Sequence, residues 1–340
     1  VTAAKVTVSF SSQILLNGNF SSEDLAGTAA PAALEDLEDF VRSLARTHRR
    51  WLSSSISTDP PTASRYTSSE SGRSAMSFPF AVQSNSIIGV VHLTPLPGSP
   101  GYRGSRQQIL DSALTDAQAL IDGGVHGIIV ENFGDTPFTP SAVEATTVAE
   151  MSVVVRAICL LAGALPVGVN VLRNDAAAAL AIAAATGSTF IRVNVHTSAV
   201  LTDQGWISGR AHETLRQQIS IDAGQVAIAA DVGVKHALHP EGFDAAKAAV
   251  ETVGRGRADA VIITGNATGA SLDLDQLVQV REAIPSTALV AGSGVDVANV
   301  AAILAIADAA IVGTSLKQDG QVDRMVDVAR VQALVEAAAR

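Results

Sequence analysis

The chain has 340 residues, 47% of them hydrophobic and 16% charged, and its formal net charge is −10. This length exceeds the usual domain of about 150 residues, but it fits one large α/β barrel of roughly 250 residues with an extension. The acidic balance argues against a nucleic-acid partner, and the single cysteine, Cys159, excludes an intramolecular disulfide framework. Because no apolar run reaches the roughly 18 residues of a membrane span, we expect a cytoplasmic protein without a transmembrane segment.

The first 80 residues differ in composition from the rest of the chain. They contain 16 serines but only 3 of the 27 glycines. Residues 53–75 are rich in Ser, Thr and Pro, which is typical of a disordered linker. Residues 31–52 have the pattern of one amphipathic helix with a basic end, which is interpreted either as a docking element or as part of a poorly ordered extension. Met76 lies where the composition changes, so we hypothesise that native translation begins there.

Residues 86–340 alternate between short β-branched runs and Ala-rich helical windows, as in a parallel sheet covered by helices. The predicted strands span 87–93, 127–131, 167–171, 190–195, 226–232, 260–264, 288–291 and 310–312. The predicted helices span 105–122, 142–162, 175–186, 210–222, 242–255, 273–283, 296–306 and 323–338. This pattern predicts a TIM (β/α)8 barrel. An open doubly wound sheet is the alternative, but no Gly-x-Gly-x-x-Gly turn follows the first strand.

Polar side chains follow most of the predicted strands at their carboxyl ends, where active sites of such barrels lie. Side chains of a strand alternate between two faces, so Arg192, Asn194 and His196 share one face. Because each polar group buried without a partner costs about 1–3 kcal/mol, a functional opening is favoured over separate structural residues. Asp203 belongs to a polar loop (202–205) that either closes over this opening or is a simple turn. The candidate catalytic residues are His92, Glu131, Asn170, Asn194, His196, Asp231 and Lys235.

The types of these residues suggest particular roles. Imidazoles titrate near pH 6.5, so His92 and His196 are candidate proton carriers. Lys235 either forms a Schiff base or, as we favour, pairs with an anion. Glu131 and Asp231 offer oxygen ligands for a divalent ion, Mg²⁺ or Zn²⁺, although no local His spacing defines a metal site.

Glycine-rich loops follow the last two predicted strands. Residues 291–295 read AlaGlySerGlyVal, and residues 312–315 read ValGlyThrSer. Glycine lets a ligand approach the backbone closely, and backbone N–H groups hold an anion without a net basic charge. Barrels frequently bind phosphate in these two loops, whereas the alternative is that the glycines only form tight turns. We therefore predict a small phosphorylated ligand, bound by Gly292, Ser293, Gly294, Gly313 and Thr314.

Several of these segments resemble the BtpA/SgcQ family, in the order that the family has them. The matching motifs lie at 90–100, 130–138, 167–176, 190–196, 202–205, 230–237, 292–295 and 312–317. The resemblance implies a TIM barrel of the ribulose-phosphate-binding or aldolase type. The family name derives from a role in photosystem I biogenesis as a peripheral membrane factor. Because relatives occur in organisms without photosynthesis, the resemblance assigns neither a general reaction nor a catalytic residue.

Two functions from different classes follow. The first is an enzyme that acts on a small phosphorylated metabolite, sugar-phosphate or nucleotide-like, as an isomerase, a lyase or a hydrolase. The second is a non-catalytic assembly factor for a membrane protein complex, in which the basic end of residues 31–52 contacts a membrane or a partner. We favour the enzyme, because a binding module has little need for so many polar groups around one opening. A homo-oligomer is compatible with either function.

Overall fold

The computed structural model describes residues 78–80, 85–234, 237–265 and 272–339. The helix expected at residues 31–52, the disordered linker expected at 53–75, and Met76 lie outside the described residues.

Eight parallel strands close into a barrel that confirms the predicted TIM fold. Neighbouring strands follow one another in chain order, and the last strand pairs with the first, Ser86 lying opposite Ala309. An antiparallel hairpin of strands β5 and β6 interrupts the series after β4. The strands are β1 (Ser86–His92), β2 (Gly127–Glu131), β3 (Val167–Asn170), β4 (Phe190–Val193), β5 (Ala199–Thr202), β6 (Gly205–Ser208), β7 (Ala227–Val232), β8 (Ala260–Ile263), β9 (Ala288–Ala291) and β10 (Ala309–Val312).

Helices alternate with the barrel strands and cover the barrel. Several begin at the side-chain caps that the sequence offers: Ser105, Asp175 and Asp244 each accept a backbone N–H of the first turn. The seventh helix is shorter than predicted, and the eighth begins at Val328 rather than near residue 323. The helices are α1 (Arg106–Asp122), α2 (Ala145–Ala162), α3 (Ala176–Thr186), α4 (Ala211–Ser220), α5 (Ala245–Gly254), α6 (Leu274–Ala283), α7 (Val300–Leu304) and α8 (Val328–Ala338).

Three aromatic rings fill the barrel interior near the end at which the strands begin. Phe78, Phe80 and Phe190 contact one another edge to face, with ring centroids 5.2–5.9 Å apart. All three side chains are buried in the cluster that lines the interior. Phe78 and Phe80 therefore belong to the core of the barrel, although composition had grouped them with the extension of residues 1–80.

Small residues of the surrounding strands make room for these rings. A Cβ atom on Gly127 would lie 2.4 Å from the Phe80 ring, and one on Gly168 would lie 2.2 Å from the Phe190 ring. Four of the remaining strands contribute alanine to the same interior cluster, namely Ala227, Ala260, Ala288 and Ala309. Large rings and small wall residues thus fill this end to the density of a protein core.

Helix α2 is the one helix among the described residues that is long and apolar enough to span a membrane, with a mean hydropathy of 1.7. In the barrel it buries Met151, Val154, Val155 and Ile158. Val153 and Leu160 on the same helix are exposed.

A buried ion pair connects α1 to the segment between β10 and α8. The Lys317 ammonium donates a hydrogen bond to Oδ2 of Asp116, 2.5 Å away, and both side chains are almost fully buried. The other carboxylate oxygen, Oδ1, accepts the backbone N–H of Val326 at 2.7 Å. Each oxygen of Asp116 therefore has a partner, as a buried carboxylate requires.

Candidate functional site

Every barrel strand places one residue at the interior face of its carboxyl end. On β1, for example, Ile88 and Val90 line the interior, and because side chains alternate, His92 is the next residue on that face. The same step of two residues applies to the other seven strands. The resulting layer consists of six polar residues and two glycines: His92, Glu131, Asn170, Arg192, Asp231, Thr264, Gly292 and Gly313.

Arg192 lies at the centre of this polar layer and binds two carboxylates. Its Nε and Nη2 atoms donate to the two oxygens of Asp231 at 2.9 and 3.0 Å. Its Nη1 atom donates to Oε1 of Glu131 at 3.1 Å. The side chains are only 4%, 0% and 8% exposed for Arg192, Asp231 and Glu131, respectively. The structure thus joins two of the predicted site residues through an arginine that had not been selected as a candidate.

The pKa values of Arg192 and of the nearby Arg173 are shifted in opposite directions. Burial lowers the pKa of the Arg192 guanidinium, but Asp231 and Glu131 outweigh burial and raise the pKa above its ordinary value. For Arg173, which follows β3, burial dominates and lowers the pKa, although Asp231, Asp203 and Glu131 oppose this effect. Both guanidinium groups remain charged at neutral pH, because an arginine in a protein is effectively always protonated.

Two asparagine side chains continue the network from Asp231. The Asn194 amide donates through Nδ2 to Oδ2 of Asp231 at 2.9 Å. The Asn170 amide donates through Nδ2 to Oδ1 of Asn194 at 3.3 Å. Oδ1 of Asn170 has no hydrogen-bond partner among the described residues, and this side chain is fully buried. Both predicted asparagines therefore join the site, in a row of directed hydrogen bonds.

His92 lies between the charged residues and one of the glycine-rich loops. It stands opposite Glu131 in the register of β1 and β2. Its ring centroid is 4.7 Å from that of Phe133, and a Cβ atom on Gly313 would lie 2.7 Å from His92 Cε1. The side chain is partly exposed, whereas that of Glu131 is buried. His92 is therefore the imidazole of this layer that is accessible to a ligand.

Hydrogen bonds connect the two glycine-rich loops and the end of β8. Oγ of Ser293 accepts the N–H of Gly265 at 3.0 Å, and Oγ of Ser315 donates to the carbonyl of Val295 at 2.7 Å. Gly294 adopts a φ of +71°, a conformation that favours glycine. Thr314 begins a short 3₁₀ turn, whose first N–H groups have no partner within the turn itself.

The structure gives Gly292 and Gly313 a packing role. A Cβ atom on Gly292 would lie 2.4 Å from Ile262 and 2.9 Å from Thr264, and one on Gly313 would touch the His92 ring. These glycines thus let neighbouring side chains of the barrel lie directly against the backbone. The atoms that a Cβ would meet at these two positions belong to the chain itself.

His196 lies apart from the polar layer. The chain leaves the barrel wall after Val193, so the alternation that places Arg192 does not extend to His196. Its Nε2 atom lies 2.8 Å from the carbonyl oxygen of Gly256, beyond the end of α5, and the side chain is fully buried. Burial lowers the pKa of His196, while the Gly256 carbonyl raises it to a smaller extent. Lys235, another predicted residue, lies outside the described residues.

The arrangement does not fit a divalent ion at Glu131 and Asp231. A metal at this position requires free carboxylate oxygens, whereas both oxygens of Asp231 accept hydrogen bonds from Arg192. The part of the chain that the structure describes contains no group of three His, Cys, Asp or Glu side chains arranged for a metal. The Arg192 guanidinium supplies the positive charge beside Glu131 and Asp231 that the sequence analysis had assigned to a divalent ion.

The hairpin of β5 and β6 is a feature that the sequence did not predict. Its turn carries Asp203, whose charge acts on the buried Arg173. Leu201 and Leu238 pair through two backbone hydrogen bonds of 3.0 and 2.8 Å, which attach the hairpin to the segment after β7. The loop of residues 202–205 is therefore the tip of a hairpin, and Arg173 connects it electrostatically to the polar layer.

Comparison with known proteins identifies the group to which this barrel belongs. The model of the BtpA family matches residues 83–340. The chain belongs to the BtpA family. This confirms the resemblance noted in the motifs.

Among members of the BtpA family, the Photosystem I biogenesis protein BtpA of Synechocystis sp. is 44% identical over 255 residues, which cover 75% of this chain and 88% of that protein. The putative sgc region protein SgcQ of Escherichia coli is 32% identical over 252 residues, 74% of this chain and 92% of that protein. The solved phosphoribosyl anthranilate isomerase from Thermus thermophilus is 11% identical with a TM-score of 0.45, covering 75% and 98% of the two chains. That similarity bears on neither substrate nor mechanism.

Proposed function

We propose that this BtpA-family barrel is an enzyme that acts on a small phosphorylated metabolite at the carboxyl end of its strands. One observation supports the proposal above the others. Glu131, one of the two carboxylates that bind Arg192, lies opposite His92 in the strand register, and His92 in turn lies against Gly313 of the loop proposed for phosphate. Side chains suited to acid–base chemistry therefore lie next to the loop that is proposed to bind phosphate.

The hydrogen bonds suggest a division of roles within this site. Both oxygens of Asp231 bind Arg192, so Asp231 positions the guanidinium and is not the base. His92 is partly exposed and is the proposed proton carrier, with Glu131 next to it in the register. Arg192 stabilises negative charge on the substrate, and the loops of residues 292–294 and 313–314 hold the phosphate through backbone N–H groups.

Thermal denaturation with phosphorylated metabolites tests the proposal. We expect at least one member of a panel of sugar phosphates and nucleoside monophosphates to raise the Tm of the wild-type protein, because a ligand stabilises the state that it binds. The Gly294→Asp variant places a carboxylate at the proposed phosphate loop and should abolish this shift.

A matched control distinguishes electrostatic repulsion from a general effect of the substitution. Gly163 also has a positive φ, of +63°, and an ideal Cβ atom there meets no atom within 4 Å. Gly163→Asp makes the same change in charge at the end of α2 and should retain the full shift in Tm. The proposal fails if no ligand stabilises the wild type, or if the two variants respond equally.

A second candidate is a non-catalytic assembly factor for a membrane protein complex. The name of the Synechocystis relative favours it, and so do the apolar side chains on the outer face of α2, Val153 and Leu160, which are 61% and 67% exposed. Affinity purification distinguishes the two classes. A partner that is retained by Gly294→Asp but lost after Val153→Lys and Leu160→Lys would favour the assembly factor.

A further inference from the structure

We propose that Asn170 presents a hydrogen-bond acceptor to a hydroxyl group of the substrate, which makes the substrate a hydroxylated phosphate ester. This inference rests on the proposed function. It adds that the part of the substrate away from the phosphate carries a hydroxyl group. It assigns Asn170 the role of a specificity-determining residue.

The orientation of the Asn170 amide follows from the charge of Asp231. An ionised carboxylate only accepts hydrogen bonds, so the group that Asn194 turns towards it, at 2.9 Å, must be the Nδ2 donor. Asn194 therefore turns its oxygen towards Asn170. The Asn170 amide, 3.3 Å from that oxygen, must donate through Nδ2 as well. The chain of donors leaves Oδ1 as the free end of Asn170.

This free end lies within the polar layer at the carboxyl end of the barrel. Asn170 occupies the interior face at the end of β3, between Glu131 and Arg192 in the register of the sheet. Its Oδ1 atom is buried and has no partner among the described residues. A buried acceptor without a donor is energetically unfavourable, so a group that supplies a hydrogen is favoured there.

The required partner is a donor, which restricts the substrate. A carboxylate or carbonyl group of a ligand at this position would face the Asn170 oxygen without a hydrogen between them. A hydroxyl group donates to Asn170 and can also accept from a neighbouring donor. A sugar or polyol phosphate fits this pattern, whereas a phosphorylated keto acid or an alkyl phosphate without hydroxyl groups does not.

Calorimetric titration of the full-length protein with five phosphates tests the inference. The probes are inorganic phosphate, propyl phosphate, O-phosphoethanolamine, glycerol 3-phosphate and ribose 5-phosphate. In the wild type we expect at least one of the two hydroxylated esters to bind about tenfold more tightly than propyl phosphate, the difference expected for one hydrogen bond to a buried acceptor. Because this comparison uses the wild type, it stands even if a variant fails to fold.

Two substitutions then assign the preference to Asn170. Asn170→Leu should remove the tenfold preference and leave the Kd of inorganic phosphate unchanged. Asn170→Gln keeps both the amide donor and the oxygen acceptor and should retain the preference, measured as the ratio of the Kd values of the hydroxylated ester and inorganic phosphate. As a control, Asn299→Leu removes the bond from Nδ2 to the Gly294 carbonyl and should weaken all five phosphates equally.

The outcomes separate this inference from the proposed function. If none of the five phosphates binds, the proposed phosphate site fails, and the assignment of Asn170 fails with it. If they bind but neither hydroxylated ester exceeds propyl phosphate, or if Asn170→Leu keeps the preference, only the role of Asn170 is overturned. Tighter binding of O-phosphoethanolamine than of either hydroxylated ester would overturn the assignment of a hydroxyl group.

Discussion

Arg192 and Asp231 face each other inside the barrel through two hydrogen bonds of 2.9 and 3.0 Å. This two-point contact fixes the plane of the guanidinium as well as its position. The third contact, to Glu131 at 3.1 Å, leaves the cation between two anions. A guanidinium held in this way keeps its orientation before any ligand arrives, which is what electrostatic stabilisation of a substrate requires.

Removal of Arg192 should destabilise the fold. Arg192→Met leaves two buried carboxylates without their cation, and we expect the free energy of unfolding to fall by about 3–5 kcal/mol. Urea denaturation monitored by circular dichroism measures this change. Arg106→Met is the matched control, since the Arg106 side chain is 65% exposed in its ion pair with Glu150 and its loss should lower stability far less. Equal losses in the two variants would contradict a buried network.

A methyl group on Gly168 should disturb the aromatic cluster. Gly168→Ala brings a Cβ atom to 2.2 Å from the Phe190 ring, which is held in place by Phe78 and Phe80. We expect the free energy of unfolding to fall by about 1–3 kcal/mol, as in other overpacked cores. Gly224→Ala serves as control because no atom lies within 4 Å of its Cβ position, and it should not destabilise the protein. Equal stability of Gly168→Ala and wild type would refute the tight packing.

The ion pair of Lys317 and Asp116 should show strong coupling. Lys317→Met leaves a buried carboxylate, and Asp116→Leu leaves a buried ammonium and deprives the Val326 N–H of its acceptor. Each single change should cost about 3–5 kcal/mol, whereas the double variant should lose less than the sum of the two. A double-mutant cycle in urea measures the coupling. Strict additivity would show that the two charges do not stabilise each other.

His196 should make the stability of the fold depend on pH. Burial lowers its pKa in the folded state below the ordinary value of 6.5, so the unfolded chain binds more protons. The free energy of unfolding therefore falls as the pH drops below about 6.5. His196→Gln keeps a donor for the Gly256 carbonyl but does not titrate, so its stability should change less between pH 7.5 and 5.5. An unchanged slope in His196→Gln would contradict the prediction.

Most of the barrel and much of its polar layer could be predicted from the sequence. Strands β2 and β9 have the predicted bounds, because each is a short buried run between polar segments. Positions at the carboxyl ends of predicted strands were sufficient to place His92, Glu131 and Asp231 at the same end of the barrel. The period of two residues in a strand failed for His196, since the strand had already ended at Val193.

Other features depend on contacts between distant parts of the chain. The composition around Phe78 and Phe80 resembles that of the extension, and their burial becomes apparent only from glycines such as Gly127 on neighbouring strands. The hairpin of β5 and β6 turns at Asp203 and Gln204, which lack the Asn-Gly or Asp-Gly signal that identifies such turns. The pairing of Arg192 with two carboxylates is likewise invisible in a local pattern.

The three phenyl rings at one end of the barrel affect the electrostatics at the other. Phenyl rings and aliphatic side chains such as Ile129 and Ile262 carry no dipoles that could reorient towards a charge. Among the described residues, this apolar cluster lies directly below the Arg192 network, and each buried charge there acts on its neighbours more strongly than it would at the surface. The apolar end of the barrel thus shields the polar layer from solvent on that side. The interaction of a bound molecule's charge with the polar layer is therefore screened by solvent only weakly.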